Sequence, residues 1–182
     1  DVTIKELDSP CAVLEAVKKG SVDAGILWPP FLTLAEQQGL KVAKRSGDVL
    51  PRHTCCRQVA LTQKVKADEA DYVRFVRALI RAHAFYISHP DETVEITAKY
   101  VKIDKAVLKR DLYNGNLYLS PDPEKSSVVA FWTYMNRAEY VTSAISIERH
   151  INTEIYKKAL DSLIIEHPAE KDFKALKASF RA

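Results

Sequence analysis

The sequence predicts an α/β fold whose C-terminal half is helical. Three observations carry this expectation. Residues 2–43 alternate short apolar runs of strand type with helical apolar stripes, the pattern of a parallel, helix-covered sheet. Residues 46–54, Ser-Gly-Asp-Val-Leu-Pro-Arg-His-Thr, have the composition of a linker. From Ala67 onward the apolar residues recur at helical spacing almost to the end.

Each element follows from local chemistry. Val2 to Leu7 reads as a strand. Ser9 then offers an N-cap and Pro10 a preset first helical residue, with Ala12, Val13, Ala16 and Val17 as the apolar stripe. Gly20 is placed to end that helix. Val22 to Leu27 is a short run of strand type, broken by Pro29-Pro30. A short helix over 31–38 follows, Gly39 closes it, and Leu40 to Ala43 is a third strand. Beyond the linker, Cys56 to Leu61 reads as one further strand.

The helical half begins at Ala67, with Tyr72, Phe75, Val76, Leu79, Ile80 and His83 on one face. His89-Pro90-Asp91 restarts a second helix, with acids where the dipole favours them. Asp104 caps a third, which Gly115 ends. Asp122-Pro123-Glu124 opens a fourth, and its Phe131, Trp132 and Tyr134 read as helix packing. Asn152 caps a fifth over 153–163.

Composition bounds the class. With 47% hydrophobic residues in 182, the chain can bury a core, which excludes intrinsic disorder. The longest apolar stretch, 67–88, is interrupted by six charged residues and does not read as a membrane span. The net charge of +3 is scattered, so it makes no nucleic-acid footprint. Lys102, Lys105, Lys109 and Arg110 read as a solvated helix face. Cys11, Cys55 and Cys56 are too few for a disulfide scaffold and lack zinc spacing. No phosphate-binding loop, dinucleotide turn, nucleophile elbow or His-Glu-x-x-His helix is present. The chain opens on Asp1 inside an expected strand, and three strands make a poor free-standing parallel sheet. Further strands are therefore expected upstream of Asp1.

Gly20-Ser21-Val22-Asp23-Ala24, then Trp28-Pro29-Pro30-Phe31 and Gly39-Leu40, resemble the second lobe of extracytoplasmic solute-binding proteins of ABC importers. The nitrate/sulfonate/taurine and thiamine-precursor group is the type they look like. Arg77-Ala78, Arg81-Ala82 and the restart from Ser88 to Glu92 match that group's long helix and its successor. The resemblance covers residues 1 to about 165, without the family's N-terminal half. It implies a partial type II, periplasmic-binding-protein-like two-lobe fold. On that scheme residues 1–48 belong to the second α/β lobe and 49–62 form the crossover and return strand. Residues 63–182 supply the helical C-terminal part of the first lobe and a tail.

Candidate ligand contacts follow. Trp28 lies at the carboxyl end of its expected strand, where open α/β sheets bind ligands, and Pro29 stiffens the turn behind it. An indole offers a flat apolar face and one N–H donor, for a ligand or for core packing. Cys55 and Cys56, at the crossover, read as buried thiols, as partners of a disulfide to Cys11, or as ligand contacts. Arg57 suits a bidentate grip on a carboxylate or sulfonate, or an exposed ion pair. In the resembling family the region of Tyr118 returns toward the cleft, which makes Tyr118 a further candidate. Asp23 reads as a local cap or pair. His53 lacks partners for a metal site, and His83 reads as a satisfied core histidine.

The resemblance implies a non-enzymatic role without a cofactor: capture of a small organic solute, anionic, sulfonate-like or pyrimidine-like, in an inter-lobe cleft. The implied partner is the membrane permease of an ABC importer. The implied location is periplasmic or otherwise extracytoplasmic, with or without a membrane anchor. Two alternatives stay open: a thiamine pyrimidine-precursor synthase-like enzyme of the same fold, and a ligand-sensing domain of a signalling protein.

Overall fold

A computed structural model describes residues 2–181. Helices α1 (Pro10–Lys18), α2 (Phe31–Gln37), α3 (Ser46–Val49), α4 (Thr62–Ala67), α5 (Glu69–Ser88) and α6 (Pro90–Tyr100) follow one another. Then come α7 (Lys105–Tyr113), α8 (Lys125–Arg137), α9 (Glu154–Glu166) and α10 (Lys171–Ser179). They fall into two compact units, one of residues 1–45 and 90–118, the other of 46–89 and 119–182. No described helix is long and apolar enough to cross a membrane.

The helix ends obey local rules. Ser9 accepts a hydrogen bond from the Ala12 N–H at 3.1 Å, and Pro10 opens α1. Asp104 caps α7 by accepting from the N–H groups of Ala106 and Val107. Asn152 accepts from Glu154 and Ile155 at the start of α9. Gly20, Gly39 and Gly115 follow α1, α2 and α7 with φ of +67°, +87° and +79°, a backbone other residues rarely adopt.

The strands expected over 2–7, 22–27, 40–43 and 56–61 do not form: among the described residues there is no β-strand. The α/β expectation is therefore corrected to a helical chain with irregular segments, while the helical C-terminal portion stands. A period-2 apolar pattern becomes a strand only when a neighbour takes up its backbone groups and a layer covers its face. These segments have no ladder, and Val2, Ile26 and Val59 remain about nine-tenths exposed.

In the first unit α1 and α2 pack together, α2 meets α7, and α7 lies on α6. The contact of α2 with α7 contains a buried polar pair in which Thr33 Oγ1 donates to Asp111 Oδ1. Beside it the Arg110 guanidinium donates to Glu36 at 2.7 Å. Lys105 and Lys109 meet Glu95 and Asp91 on the solvent side.

Segment 22–27 passes close over α1. A Cβ added at Gly25 meets Val13 Cγ1 at 2.6 Å and Val17 Cγ2 at 3.0 Å. Both are methyls of stiff β-branched side chains that have little room to turn away. Gly25→Ala is therefore expected to destabilise this unit by about 1–3 kcal/mol. Faster amide exchange in α1 would report that loss, and unchanged exchange would show that the segment shifts freely.

The second unit is built on α5, α9 and α10. Ile80, Tyr156, Ala159, Leu160, Leu163, Phe173 and Leu176 form its buried core, with Val73, Val76 and Ala84 packed against it. The buried stripe of α5 is thus 73, 76, 80 and 84. Phe75, expected inside, is half-exposed. Several apolar rows run along this helix, and the position of α9 and α10 selects which is covered.

Polar contacts frame that core. His83 lies between the Asp172 carboxylate, 2.8 Å from Nδ1, and the Leu119 carbonyl, 3.2 Å from Nε2, as a satisfied structural histidine. Arg77 donates to Ser162 and Glu166, and its guanidinium holds the Glu166 carboxyl below its ordinary value.

Candidate functional site

Within the second unit, segment 50–57 runs beside the start of α8. Two arginines tie it there. Arg52 Nη2 donates to Glu124 Oε1 at 2.5 Å, and Arg57 Nε donates to the Pro123 carbonyl at 2.9 Å. Arg57 also donates from Nη1 to the Cys56 carbonyl at 2.6 Å. The turn it grips is itself closed, because Asp122 accepts from the Glu124 N–H at 2.7 Å.

The turn is strained as well as tied. Arg52 and Glu124 both adopt left-handed backbone, with φ of +56° and +48°. Such residues persist only where surrounding contacts over-determine them, and here their side chains bond to each other. The Glu124 side chain is buried and the Arg52 side chain about half-exposed. Ser127 Oγ donates to the other Glu124 oxygen at 3.3 Å.

Leu50, Pro51, Arg52, His53, Ser126, Ser127, Ala130 and Phe131 line a solvent-open recess of about 230 Å³. Its walls divide by chemistry. Leu50, Pro51, Ala130 and Phe131 give an apolar side, and the His53 ring lies tilted against Phe131 at 6.3 Å between centroids. Ser126 and the first turn of α8 give donors, in the positive field of a helix N-terminus, while the Ser127 hydroxyl is taken up by Glu124. The volume lies just below the range of drug-sized pockets, about 300–1,000 Å³, so it suits a small solute or one end of a larger one.

Two guanidinium groups and two carboxylates meet around the turn before α8. Burial pushes the Asp122 carboxyl above its ordinary value; the nearby Glu124 charge adds to this, while the Glu124 N–H and both arginines oppose it. Opposite charges therefore offset one another around the turn, leaving the Ser126 hydroxyl and the open N–H groups of the first turn of α8 as the recess donors.

The candidate residues named from sequence divide between the units. Arg57, with Cys55 and Cys56 just before it, lies on the segment tied to the 122–124 turn. Both cysteines are exposed, which corrects the buried-thiol reading, and all three cysteines of the chain are free rather than disulfide-bonded. Trp28, Pro29 and Tyr118 belong to the first unit. Trp28 is 57% exposed with its indole edge-on to Phe31, not packed into a core. Tyr118 is also exposed.

Sequence reasoning passed over Arg52, Ser126 and Ser127, and it assigned Phe131 to helix packing. A Ser-Ser pair in a first helical turn after Asp-Pro-Glu was the available signal. Nothing local to residue 52 marked it as that turn's partner 72 positions away. Among the described residues no group of three or more His, Cys, Asp or Glu converges to hold a metal ion.

No protein-family model and no solved structure matches the chain. Curated proteins do. A protein of Brucella abortus (strain 2308), provisionally named a binding protein, is 27% identical over 125 residues, covering 67% of this chain and 39% of its own length. A protein of Bacillus subtilis (strain 168), provisionally named for binding aliphatic sulfonates, is 26% identical over 165 residues. That match covers 88% of this chain and 49% of the relative. A Brucella suis biovar 1 (strain 1330) protein, also provisionally named a binding protein, matches at the same level as the first. The chain thus spans about two-fifths to one-half of the length of these relatives. Their names describe binding proteins rather than enzymes.

Proposed function

We propose that this chain is part of the substrate-binding component of an ABC-type importer and captures a small organic solute without chemical conversion. The observation that carries the reading is the recess over 50–53 and 126–131, with one apolar wall and one donor wall. A solute with a short carbon skeleton and an anionic head uses both walls at once. Its skeleton covers Phe131 and Leu50, and its head takes hydrogen bonds from Ser126 and the first turn of α8. The relative named for aliphatic sulfonates supports a sulfonate head.

Arg57, Cys55 and Cys56 are proposed as further contacts on the same segment, and Trp28, Pro29 and Tyr118, within the first unit, as ligand-contact residues of that unit. Delivery to a membrane permease and an extracytoplasmic location belong to the same proposal. The nitrate/sulfonate/taurine or thiamine-precursor type is proposed as the subgroup.

Calorimetric titration with ethanesulfonate and hexanesulfonate tests this directly. Saturable 1:1 binding is expected, with the longer chain bound more tightly because it covers more of the apolar wall. Ser126→Ala is expected to weaken binding at least tenfold, since a hydrogen bond to a charged group contributes about 1.5–3 kcal/mol. Heats indistinguishable from dilution for both sulfonates would remove the sulfonate reading. Full affinity in Ser126→Ala would remove the recess from it.

A further inference from the structure

We propose that Cys55 and Cys56 form a dithiol chelate for a thiophilic, monosubstituted trivalent arsenical. Their sulfurs lie 3.7 Å apart, with the Cys56 thiol directed at the Cys55 sulfur. Both residues are exposed and neither is in a disulfide. A thiolate bond to a soft centre is about 2.3 Å, so one atom bonded to both sulfurs subtends an angle of about 107° at this separation. No backbone rearrangement is needed to bring the pair to one centre.

The number of available ligands selects the occupant. Zinc in a structural site takes four protein ligands, and among the described residues no group of three or more His, Cys, Asp or Glu converges. Two thiolates alone therefore suit a centre whose remaining valence is already filled. Trivalent arsenic carrying one organic substituent needs two sulfurs and nothing more. The exchange balances: an arsenic oxide R–As=O and two thiols give R–As(SCys)₂ and one water. Two S–H bonds break and two As–S bonds form, both protons leave on the oxide oxygen, and arsenic stays trivalent.

The surroundings hold the pair in place. Arg57 ties the Cys56 carbonyl and the Pro123 carbonyl together, which fixes the peptide directly after the thiols. The hydrogen bond from the Cys56 thiol and partial burial push the Cys55 thiol above its ordinary value, the Arg57 guanidinium opposing them in part, so both sulfurs enter the exchange as thiols. The chelate draws on none of the residues that line the recess: it uses neither Ser126, Ser127 nor Phe131.

Intact-mass measurement after treatment with phenylarsine oxide tests the proposal, in excess 2-mercaptoethanol to strip singly held arsenic. Wild type and Cys11→Ser are each expected to carry one phenylarsenic group, with 2,3-dimercaptopropanol removing it. Cys55→Ser and Cys56→Ser are each expected to carry none, because a chelate needs both sulfurs. Exposed Cys→Ser changes leave the core untouched, so circular dichroism should be unaltered in all three variants. An unlabelled wild type, a label surviving in either Cys55→Ser or Cys56→Ser, or one lost in Cys11→Ser would overturn the proposal.

Discussion

Replacing Leu163 with alanine is expected to cost the second unit about 2–5 kcal/mol. Leu163 is fully buried on α9, within the cluster that Ile80, Leu160, Phe173 and Leu176 complete. Three helices converge there, so truncation leaves a void that no single side chain can swing in to fill. The neighbouring control is Ile165→Ala. Ile165 is 80% exposed, and its loss is expected to stay within about 0.5 kcal/mol. Chemical denaturation followed by helical circular dichroism separates the two. Equal midpoints for both variants would mean that α9 does not pack on α5 and α10 as described.

Replacing Arg52 with methionine is expected to destabilise the turn before α8 by about 1–3 kcal/mol, the cost of depriving a buried acceptor of a charged partner. Glu124 keeps its Ser127 bond but loses the guanidinium at 2.5 Å. The change also acts on Asp122, whose raised carboxyl is held down in part by Arg52. A carboxyl raised in the folded chain binds its proton more tightly there than when unfolded. Its contribution to stability is therefore full below the ordinary carboxylate value and lost as pH rises through the raised one. Without Arg52 that window extends upward. Stability of the variant should fall more steeply with rising pH across the acid range than that of the wild type. Parallel pH profiles would show that Arg52 and Asp122 are not coupled.

Both expectations concern contacts between residues far apart in sequence, and there the sequence is silent. Residue 52 finds residue 124, and residue 80 finds residue 163, only once the chain has folded. The recess was invisible for the same reason. Its lining comes from two stretches more than seventy residues apart, and each alone reads as a linker or an amphipathic helix. Arg57 was singled out for a charge and a position, yet its partner, the Pro123 carbonyl, bears no side-chain signature.

The sequence by itself determined several helix ends and their caps, though not α3, α4 or α10. Ser9, Asp104 and Asn152 cap helices, and Gly20, Gly39 and Gly115 end them, because these interactions close within four residues and need no distant partner. The tertiary structure alone decided which row of α5 is buried, that Cys55 and Cys56 face solvent, and that the apolar runs at 2–7, 22–27, 40–43 and 56–61 stay unpaired. A helix satisfies its backbone within itself, whereas a strand depends on a neighbour that its own residues do not specify.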